Sequence, residues 1–198
     1  MSDTETDWAA KIGQPAMASI AEMVAALECD YERLEELRDE RADLVTTQED
    51  VRTAIAANAT AAEADDDAAA VLEQEFDAAR NALDDWDEDN AEELKELEAA
   101  AGDCADQDDA RQRIDEDPLS IEVRSDWTTF GEDLAADEYR ILLTTGGPAV
   151  CIEGELRNGE PSSARLLVQD WFKPWTEYVP ADHDTLLTYA RCFCFDRG

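Results

Sequence analysis

Basic residues are scarce in this chain. Its 198 residues include 16 Lys and Arg, 51 Asp and Glu and one His, so the formal net charge is −35. A protein that holds a nucleic-acid backbone through a general basic surface is excluded, and so is one that lies on an anionic membrane, because both need a local excess of Lys and Arg. The charge favours basic partners and excludes direct binding to nucleic acid.

Long apolar runs and a secretory signal are also missing. No segment approaches 18 apolar residues, and the first seven residues are acidic where a signal peptide begins with basic residues. The five cysteines are odd in number and irregularly spaced, which favours reduced thiols over a disulfide framework. We therefore expect a cytoplasmic protein, and the 44% apolar content with five Trp predicts a folded chain.

Gly and Pro are absent from residues 16–101, so this stretch is predicted to be helical. Apolar residues recur at intervals of three and four from Ile20 to Ile55 and again from Leu72 to Leu97. Because residues 58–67 lack large apolar side chains, we predict that the chain turns between 56 and 68. The result is an antiparallel helical hairpin with Trp86 buried near Leu37. A short helix over 106–117 follows.

The apolar period changes to two after residue 118, which predicts strands at 119–124, 139–144, 149–157 and 164–169. Asn158-Gly159 predicts a tight turn. A helix over 182–191 and a closing strand over 192–195 complete the pattern. The predicted fold class is α+β: a long N-terminal antiparallel helical hairpin (coiled coil), then a small, mostly antiparallel β-sheet module with a C-terminal helix. The predicted domains are 1–117, an acidic hairpin arm with a short connecting helix, and 118–198, the α+β module.

The negative charge is uneven, with a net −28 in residues 1–117 and −7 in residues 118–198. Three explanations remain open: the solvated surface of a coiled coil, adaptation to high salt, and mimicry of nucleic acid. High-salt adaptation is supported by 3 Lys against 13 Arg and by 27 Asp. For mimicry, a net −21 along an arm of about 60 Å gives one charge per about 3 Å, near the value of about 3.4 Å for a single strand.

The candidate partner-binding residues are acids of the predicted second helix and two tryptophans of the aromatic segment 170–178. The acids are Asp65, Asp66, Asp67, Asp84, Asp85, Asp87, Glu88, Asp89, Glu92, Glu93 and Glu96. The tryptophans, Trp171 and Trp175, can anchor a partner or fill the core of the module. The helical period also predicts that all five acids of 84–89 point outward and are unpaired.

No arrangement of residues predicts catalysis. His183, the single histidine, is flanked by Asp182 and Asp184, with no nucleophile beside it in a recognisable pattern. Residues 144–148 contain two glycines but not the Lys-Ser/Thr that completes a phosphate-binding loop. The acidic clusters lack the central glycine of a calcium loop, and Cys192 and Cys194 have no further ligands nearby. We therefore expect a protein that is not an enzyme, with no cofactor and no metal site.

One part of the chain resembles a known family. The segments that carry the resemblance are Asp117-Pro-Leu-Ser-Ile-Glu-Val-Arg-Ser-Asp-Trp127, Thr145-Gly-Gly-Pro-Ala-Val150, Gly154-Glu-Leu156, Ala164-Arg-Leu-Leu-Val-Gln-Asp-Trp171, Trp175-Thr-Glu-Tyr178 and Leu187-Thr-Tyr-Ala-Arg-Cys-Phe193. Together, over about residues 107–198, they resemble a family of small uncharacterised proteins of tailed phages and prophages. The resemblance implies a phage origin and carries over no catalytic residue.

Charge and resemblance together lead to two functional hypotheses. The first is a non-enzymatic nucleic-acid mimic that inhibits a basic nucleic-acid-binding defence protein of the host, of the CRISPR or restriction type, in the host cytoplasm. The alternative is a structural or assembly protein of a phage or prophage that acts through its coiled coil. Because one hairpin exposes most of each helix, we also expect a homodimer.

Overall fold

The computed structural model describes residues 3–60, 66–127, 129 and 135–195. The helices in this part of the chain are α1 (Asp3–Glu28), α2 (Tyr31–Thr60), α3 (Asp66–Ala101), α4 (Gln107–Glu116) and α5 (His183–Ala190). The strands are β1 (Ser120–Arg124), β2 (Glu138–Thr144), β3 (Ala149–Arg157), β4 (Glu160–Pro161), β5 (Arg165–Gln169) and β6 (Thr176–Glu177). The predicted α+β class is confirmed.

The chain forms two compact units. Residues 29–100 form one, here called the hairpin unit, and residues 1–28 with 101–198 form the other, the sheet unit. These divisions differ from the boundary predicted after residue 117. The physical reason is that α1 packs against α4, α5, β3 and β5, so the first helix contributes to the core of the sheet unit.

The predicted first helix, from residue 16 to the turn between 56 and 68, is in fact two helices. Its N-terminal part belongs to α1, which also includes Gly13 and Pro15, and α2 begins at Tyr31. The break lies at Asp30, whose carboxylate accepts a hydrogen bond from the backbone N–H of Arg33 at 3.0 Å. That bond satisfies an otherwise unpaired donor in the first turn of α2, as an N-cap does. Asp30 therefore marks the start of α2, a signal that the continuous apolar rhythm of the sequence obscured.

All neighbouring strands of the six-stranded sheet are antiparallel, in the order β1-β2-β3-β5-β6, with β4 paired to β3. The four long predicted strands are confirmed, and the two-residue strands β4 and β6 were not predicted. The tight turn is also confirmed, since Asn158 and Gly159 have φ angles of 53° and 79° between the paired residues Arg157 and Glu160. Both residues tolerate positive φ, which this hairpin turn requires.

One face of the sheet forms the core with α1, α4 and α5. Its fully buried members come from three strands and three helices: Ile20, Ile114, Ile141, Ile152, Leu166, Val168, Leu186 and Tyr189. Ile20 and Met23 were predicted to lie on the same stripe as Leu34 and Leu37 of the long hairpin. They instead pack in the sheet unit, because the break at Asp30 separates them from α2.

The predicted closing strand over 192–195 is wrong, since this segment is a turn followed by irregular chain. Cys192 is buried, but Cys194 is exposed, so the two cysteines do not share a buried face. Phe195 is held by packing rather than by strand pairing, with its ring centroid 4.8 Å from that of Tyr139.

We predict that Gly13→Ala destabilises the sheet unit. A Cβ at this position would lie 2.4 Å from Cγ of Tyr178, too close for the ring to adjust by its far end alone. Alanine favours a helix over glycine by about 1 kcal/mol, whereas overpacking costs about 1–3 kcal/mol, so the clash should prevail. Thermal unfolding measures the change. In a Tyr178→Ala background the same substitution should be neutral or stabilising, and an equal loss there would contradict this explanation.

Candidate functional site

Helices α2 and α3 lie side by side in the hairpin unit and run in opposite directions. Cys29 Sγ donates a hydrogen bond to the carbonyl oxygen of Leu97 at 3.5 Å, and Trp86 Nε1 donates to Glu40 Oε2 at 3.1 Å. Trp86 was predicted to be buried and is only half-buried, and it contacts α2 at Glu40, within one turn of its predicted neighbour Leu37. The predicted antiparallel hairpin is therefore confirmed, although residues 61–65 of the predicted turn lie outside the described part of the chain.

Three arginines of α2 form ion pairs with acids of α3. Arg33 forms two parallel bonds with Glu93, each 3.1 Å long, and Arg38 Nε lies 3.2 Å from Glu98. The hydrogen bond from Arg33 lowers the pKa of Glu93. Residue spacing within α3 alone does not reveal these pairs. The hairpin register brings the arginines of α2 to these acids instead.

Asp87 corrects the prediction that all five acids of 84–89 are unpaired. Its carboxylate accepts from Arg41 Nε at 2.8 Å, and this hydrogen bond raises the pKa of Arg41. Asp87 lies one residue after Trp86, at the border of the interface with α2, where an arginine of α2 can reach it. It therefore helps hold the hairpin together and is removed from the candidate binding surface.

The remaining acids form a continuous surface on α3, here called the acidic face: Asp84, Asp85, Glu88, Asp89, Glu92 and Glu96. All six are exposed. At 100° per residue they span about 140° of the helix, on the side opposite Trp86, Asn90 and Leu97. Glu92 pairs with Lys95 at 3.2 Å, and the other five form no ion pair with any described residue. Glu93, also exposed, belongs with Asp87 among the acids that pair with α2.

The charge density of the hairpin unit is close to that of a nucleic-acid strand. Its 72 residues include 25 acids and 6 bases, a net −19. With 36 residues, α3 is about 54 Å long, so the unit presents one net charge per about 3 Å. A single nucleic-acid strand has one per about 3.4 Å. The acidic face repeats at i and i+4, which places successive carboxylates about 6 Å apart in two adjacent rows.

The other predicted acids lie at the start of α3. Asp65 lies outside the described residues, and of Asp66 the structure gives only that it begins α3. Asp67 is exposed and has an interaction partner. More than four turns of α3 separate Asp67 from the acidic face, so Asp67 does not extend that face without interruption.

The two candidate tryptophans belong to the sheet unit and have different surroundings. The side chain of Trp171 is 63% exposed and lies next to the fully exposed ring of Phe172. Trp175 is half-buried, with the guanidinium of Arg140 6.0 Å from its ring centroid. Trp171 with Phe172 therefore remains available to a partner, whereas Trp175 is largely committed to packing on the sheet.

A row of alternating charges that was not predicted crosses the solvent-facing side of the sheet. Glu122, Arg140, Glu153 and Arg165 stand opposite one another on β1, β2, β3 and β5. Arg140 Nε donates to Glu153 at 2.7 Å, and Arg165 Nη2 lies 3.3 Å from the same carboxylate. The signal was present in the strands, since every second residue faces the same side, but the register was needed to align it.

This charged row lines a cleft of about 480 Å³. Its other lining residues include Arg124, Glu138, Glu155, Glu177 and His183. The cleft arginines are paired with glutamates inside it, so they are not free to bind an anionic ligand. His183 Nδ1 lies 2.8 Å from the carbonyl oxygen of Ala164, which accepts its N–H and holds the ring beside the sheet.

Three buried cysteines of the described chain have thiols whose pKa is raised. Burial raises the pKa of Cys151 to about 12, so its thiol is protonated at neutral pH. Burial also raises the pKa values of Cys29 and Cys192. Among the described residues, no group of three or more His, Cys, Asp and Glu side chains converges on a point where a metal ion could bind.

The pair of Glu93 with Arg33 predicts a pH-dependent contribution to stability. Because the folded hairpin lowers the pKa of Glu93, its contribution is present above the unfolded-state pKa and is lost as the pH falls through the folded-state value. Glu93→Gln should therefore lower the melting temperature at pH 7 by a few degrees, and the difference from wild type should shrink below about pH 4. Glu96→Gln, which breaks no ion pair, is the control. A deficit of Glu93→Gln that stays constant from pH 7 to pH 3 would contradict the assignment.

Comparisons with known proteins identify no relative. No protein-family model, no curated protein and no solved structure matches this chain. Within the described residues, no helix combines the length and the apolar character needed to cross a bilayer.

Proposed function

We propose that the chain is a non-enzymatic binding protein whose acidic face occupies the basic nucleic-acid site of another protein. The observation that supports this most directly is the acidic face itself: five of its six exposed carboxylates, all within 13 residues, form no ion pair in the described chain. Unpaired like charges at i and i+4 repel one another and destabilise a helix, so they carry a cost that folding alone does not explain. A partner rich in Lys and Arg offsets this cost when it binds.

The basic residues of the hairpin unit support the same proposal. All six, Arg33, Arg38, Arg41, Arg52, Arg80 and Lys95, form ion pairs with acids of their own unit. Only Lys95 pairs with a member of the acidic face, Glu92, and no base of the unit is left over to attract an anion. The hairpin unit therefore presents charge of one sign to a partner, as the backbone of a nucleic acid does.

The distribution of charge also bears on adaptation to high salt. The sheet unit carries 26 acids and 10 bases, a net −16 over 126 residues, so its charge per residue is about half that of the hairpin unit. The difference in charge per residue between the two units is smaller than that between the two predicted domains, 1–117 and 118–198. The reason is that α1, α4 and their flanking acids belong to the sheet unit. High-salt adaptation predicts an acidic surface with no dependence of partner binding on particular carboxylates, and that difference can be measured.

The phage resemblance narrows the proposed target. In a phage, an acidic protein that mimics nucleic acid would inhibit host proteins that bind foreign nucleic acid. The proposed target is therefore a defence nuclease or recognition complex of the CRISPR or restriction type, inhibited in the host cytoplasm. Trp171 and Phe172 of the sheet unit supply an exposed aromatic pair of the kind that anchors protein partners.

The alternative function, a structural coiled coil, is favoured by two apolar side chains on the hairpin unit. Val45 and Val71 are 41% and 54% exposed. Exposed valines on long helices can form contacts with another helix in an assembly. This function requires the helical surface but not the carboxylates of the acidic face, so the two proposals predict opposite effects of charge neutralisation.

The test compares three full-length proteins immobilised for capture from nuclease-treated lysate. The first is wild type. The second, here called the acidic-face variant, carries Asp84→Asn, Asp85→Asn, Glu88→Gln and Asp89→Asn. The third, the control variant, neutralises four exposed acids of the sheet unit: Glu22→Gln, Asp103→Asn, Asp108→Asn and Glu160→Gln.

We expect wild type and the control variant to retain the same basic protein, which single-stranded DNA then elutes. The acidic-face variant should fail to retain it. Equal capture by the acidic-face variant would contradict mimicry and favour the structural alternative. Elution by salt but not by DNA would also contradict mimicry, because the site would then be basic without binding nucleic acid.

A further inference from the structure

Strand β1 lies at one edge of the sheet with apolar side chains in solvent. In the described chain it pairs only with β2, so the backbone groups on its outer side have no strand partner. Ile121 and Val123 are 43% and 51% exposed, and Leu119, just before the strand, is 58% exposed. An unpaired edge with exposed apolar residues is a template for pairing with another strand.

These apolar residues are exposed because the helices do not reach them. Ile121 stands opposite Ile141 of β2, which stands opposite Ile152 of β3, so all three lie on the core face of the sheet. Ile141 and Ile152 are fully buried. Helix α1 packs over β3 and β5, and α5 packs over β5, whereas the side chains of the same face on β1 are exposed. The apolar layer therefore continues beyond the part of the core that this chain covers.

The opposite face of β1 carries Glu122 and Arg124, which restrict the registers in which two copies of the strand can pair. In an antiparallel pair of identical strands, a register with Glu122 opposite itself places two carboxylates together. A register with Arg124 opposite itself places two guanidinium groups together. With Val123 opposite itself, Glu122 of each copy faces Arg124 of the other, and the apolar residues of both copies share one face.

We propose that a second copy of this chain pairs with β1, antiparallel and with Val123 opposite Val123, to form a continuous sheet across a two-fold axis. The charges of the neighbouring strands are compatible with this partner. Glu122 already stands opposite Arg140, and Arg124 stands opposite Glu138. In the dimer the row Arg140 and Glu122 continues into Arg124 and Glu138 of the second copy, so the signs alternate across the interface.

The dimer also joins the two uncovered apolar edges. Ile121 of one copy lies diagonal to Val123 of the other on the core face, so side chains exposed in one chain are shielded in two. Each chain carries a net −35, so repulsion between copies opposes association at low ionic strength. Dimerisation should therefore strengthen with salt, whereas binding of the acidic face to a basic partner should weaken.

Charge exchange tests the proposed register. Glu122→Arg gives a copy with two basic residues at the interface, and Arg124→Glu gives a copy with two acidic ones. Each variant alone opposes like charges twice across the two-fold axis, whereas a mixture of the two restores both opposite-charge pairs. Sedimentation velocity at about 0.15 M salt measures the mass of each sample, because a Debye length of about 8 Å screens repulsion between distant charges of the two chains but not between side chains in contact. The control pair, Glu160→Arg and Arg157→Glu, makes the same charge changes at the far end of β3 and on β4.

We expect wild type and both control variants to dimerise, and each interface variant to dimerise at least tenfold more weakly. The mixture should recover dimers of one copy of each variant, and that recovery excludes misfolding as the cause of the loss. The proposal fails if wild type stays monomeric up to about 1 mM, the limit of weak association. It also fails if the interface variants dimerise as well as wild type, or if the mixture remains monomeric. None of these outcomes depends on the acidic face.

Discussion

The acidic-face variant should bind the captured basic protein about 100-fold more weakly than wild type, or worse, and should melt at the same temperature or slightly higher. Each of the four side chains is exposed and forms no ion pair in the described chain, so its conversion to an amide removes no intramolecular bond. Asp84 with Glu88 and Asp85 with Asp89 are like-charge pairs at i and i+4, and their neutralisation relieves repulsion. Binding loses up to four charge-assisted contacts with Lys or Arg.

The salt dependence of binding gives a second measure of the same effect. A ligand that displaces counterions as a single strand does loses about 0.7 in the slope of log K against log salt for each charge removed. Four neutralised carboxylates should therefore reduce the slope by about 3. The control variant should retain both affinity and slope. A folded acidic-face variant with unchanged affinity would refute a role of this surface in binding.

Leu37→Ala should unfold much of the hairpin unit at temperatures where wild type is folded. Leu37 is fully buried in a unit that has only two other buried side chains among its described residues, Cys29 and Leu34. Truncation of a buried leucine costs about 2–5 kcal/mol, a large part of the stability of a small unit. Circular dichroism at 222 nm during heating measures the loss, since α2 and α3 supply more helical residues than the other three helices together.

Val45→Ala is the matched control for this prediction. It truncates an apolar residue of the same helix that is 41% exposed, and it should change stability by less than about 0.5 kcal/mol. If Leu37→Ala were no more destabilising than Val45→Ala, the burial of Leu37 in the hairpin unit would be contradicted. Partner binding should fall in proportion to the unfolded fraction, because the acidic face depends on a folded α3.

Local patterns in the sequence predicted the regular elements, whereas contacts between distant elements decided the boundaries of the units. The alternating apolar strands and Asn158-Gly159 are local signals, and the structure confirms them. The apolar rhythm from Ile20 to Ile55 runs through the break at Asp30, because the helices before and after it both have an apolar side. Which core each helix joins depends on packing partners that periodicity does not identify.

The acidic residues of α3 also show that local patterns do not identify contacts between distant elements. Periodicity places Asp84, Asp85, Glu88 and Asp89 outward, as the structure does. Asp87 and Glu93 are equally acidic in sequence, but they are paired because Arg41 and Arg33 of the other helix lie opposite them. Paired and unpaired acids of α3 can be distinguished only when the register between α2 and α3 is known. The charged row across the sheet was missed for the same reason, since it becomes visible only when four strands are aligned.

The central claim is that the acidic face and a nucleic acid compete for one site on the partner. Fluorescence anisotropy of a labelled single-stranded oligonucleotide bound to the captured protein tests it directly, with the unlabelled chain as titrant. We predict that wild type displaces the oligonucleotide completely, that the control variant does so equally well, and that the acidic-face variant does not. An oligonucleotide that remains bound when the partner is saturated with wild-type chain would show separate sites and contradict the claim.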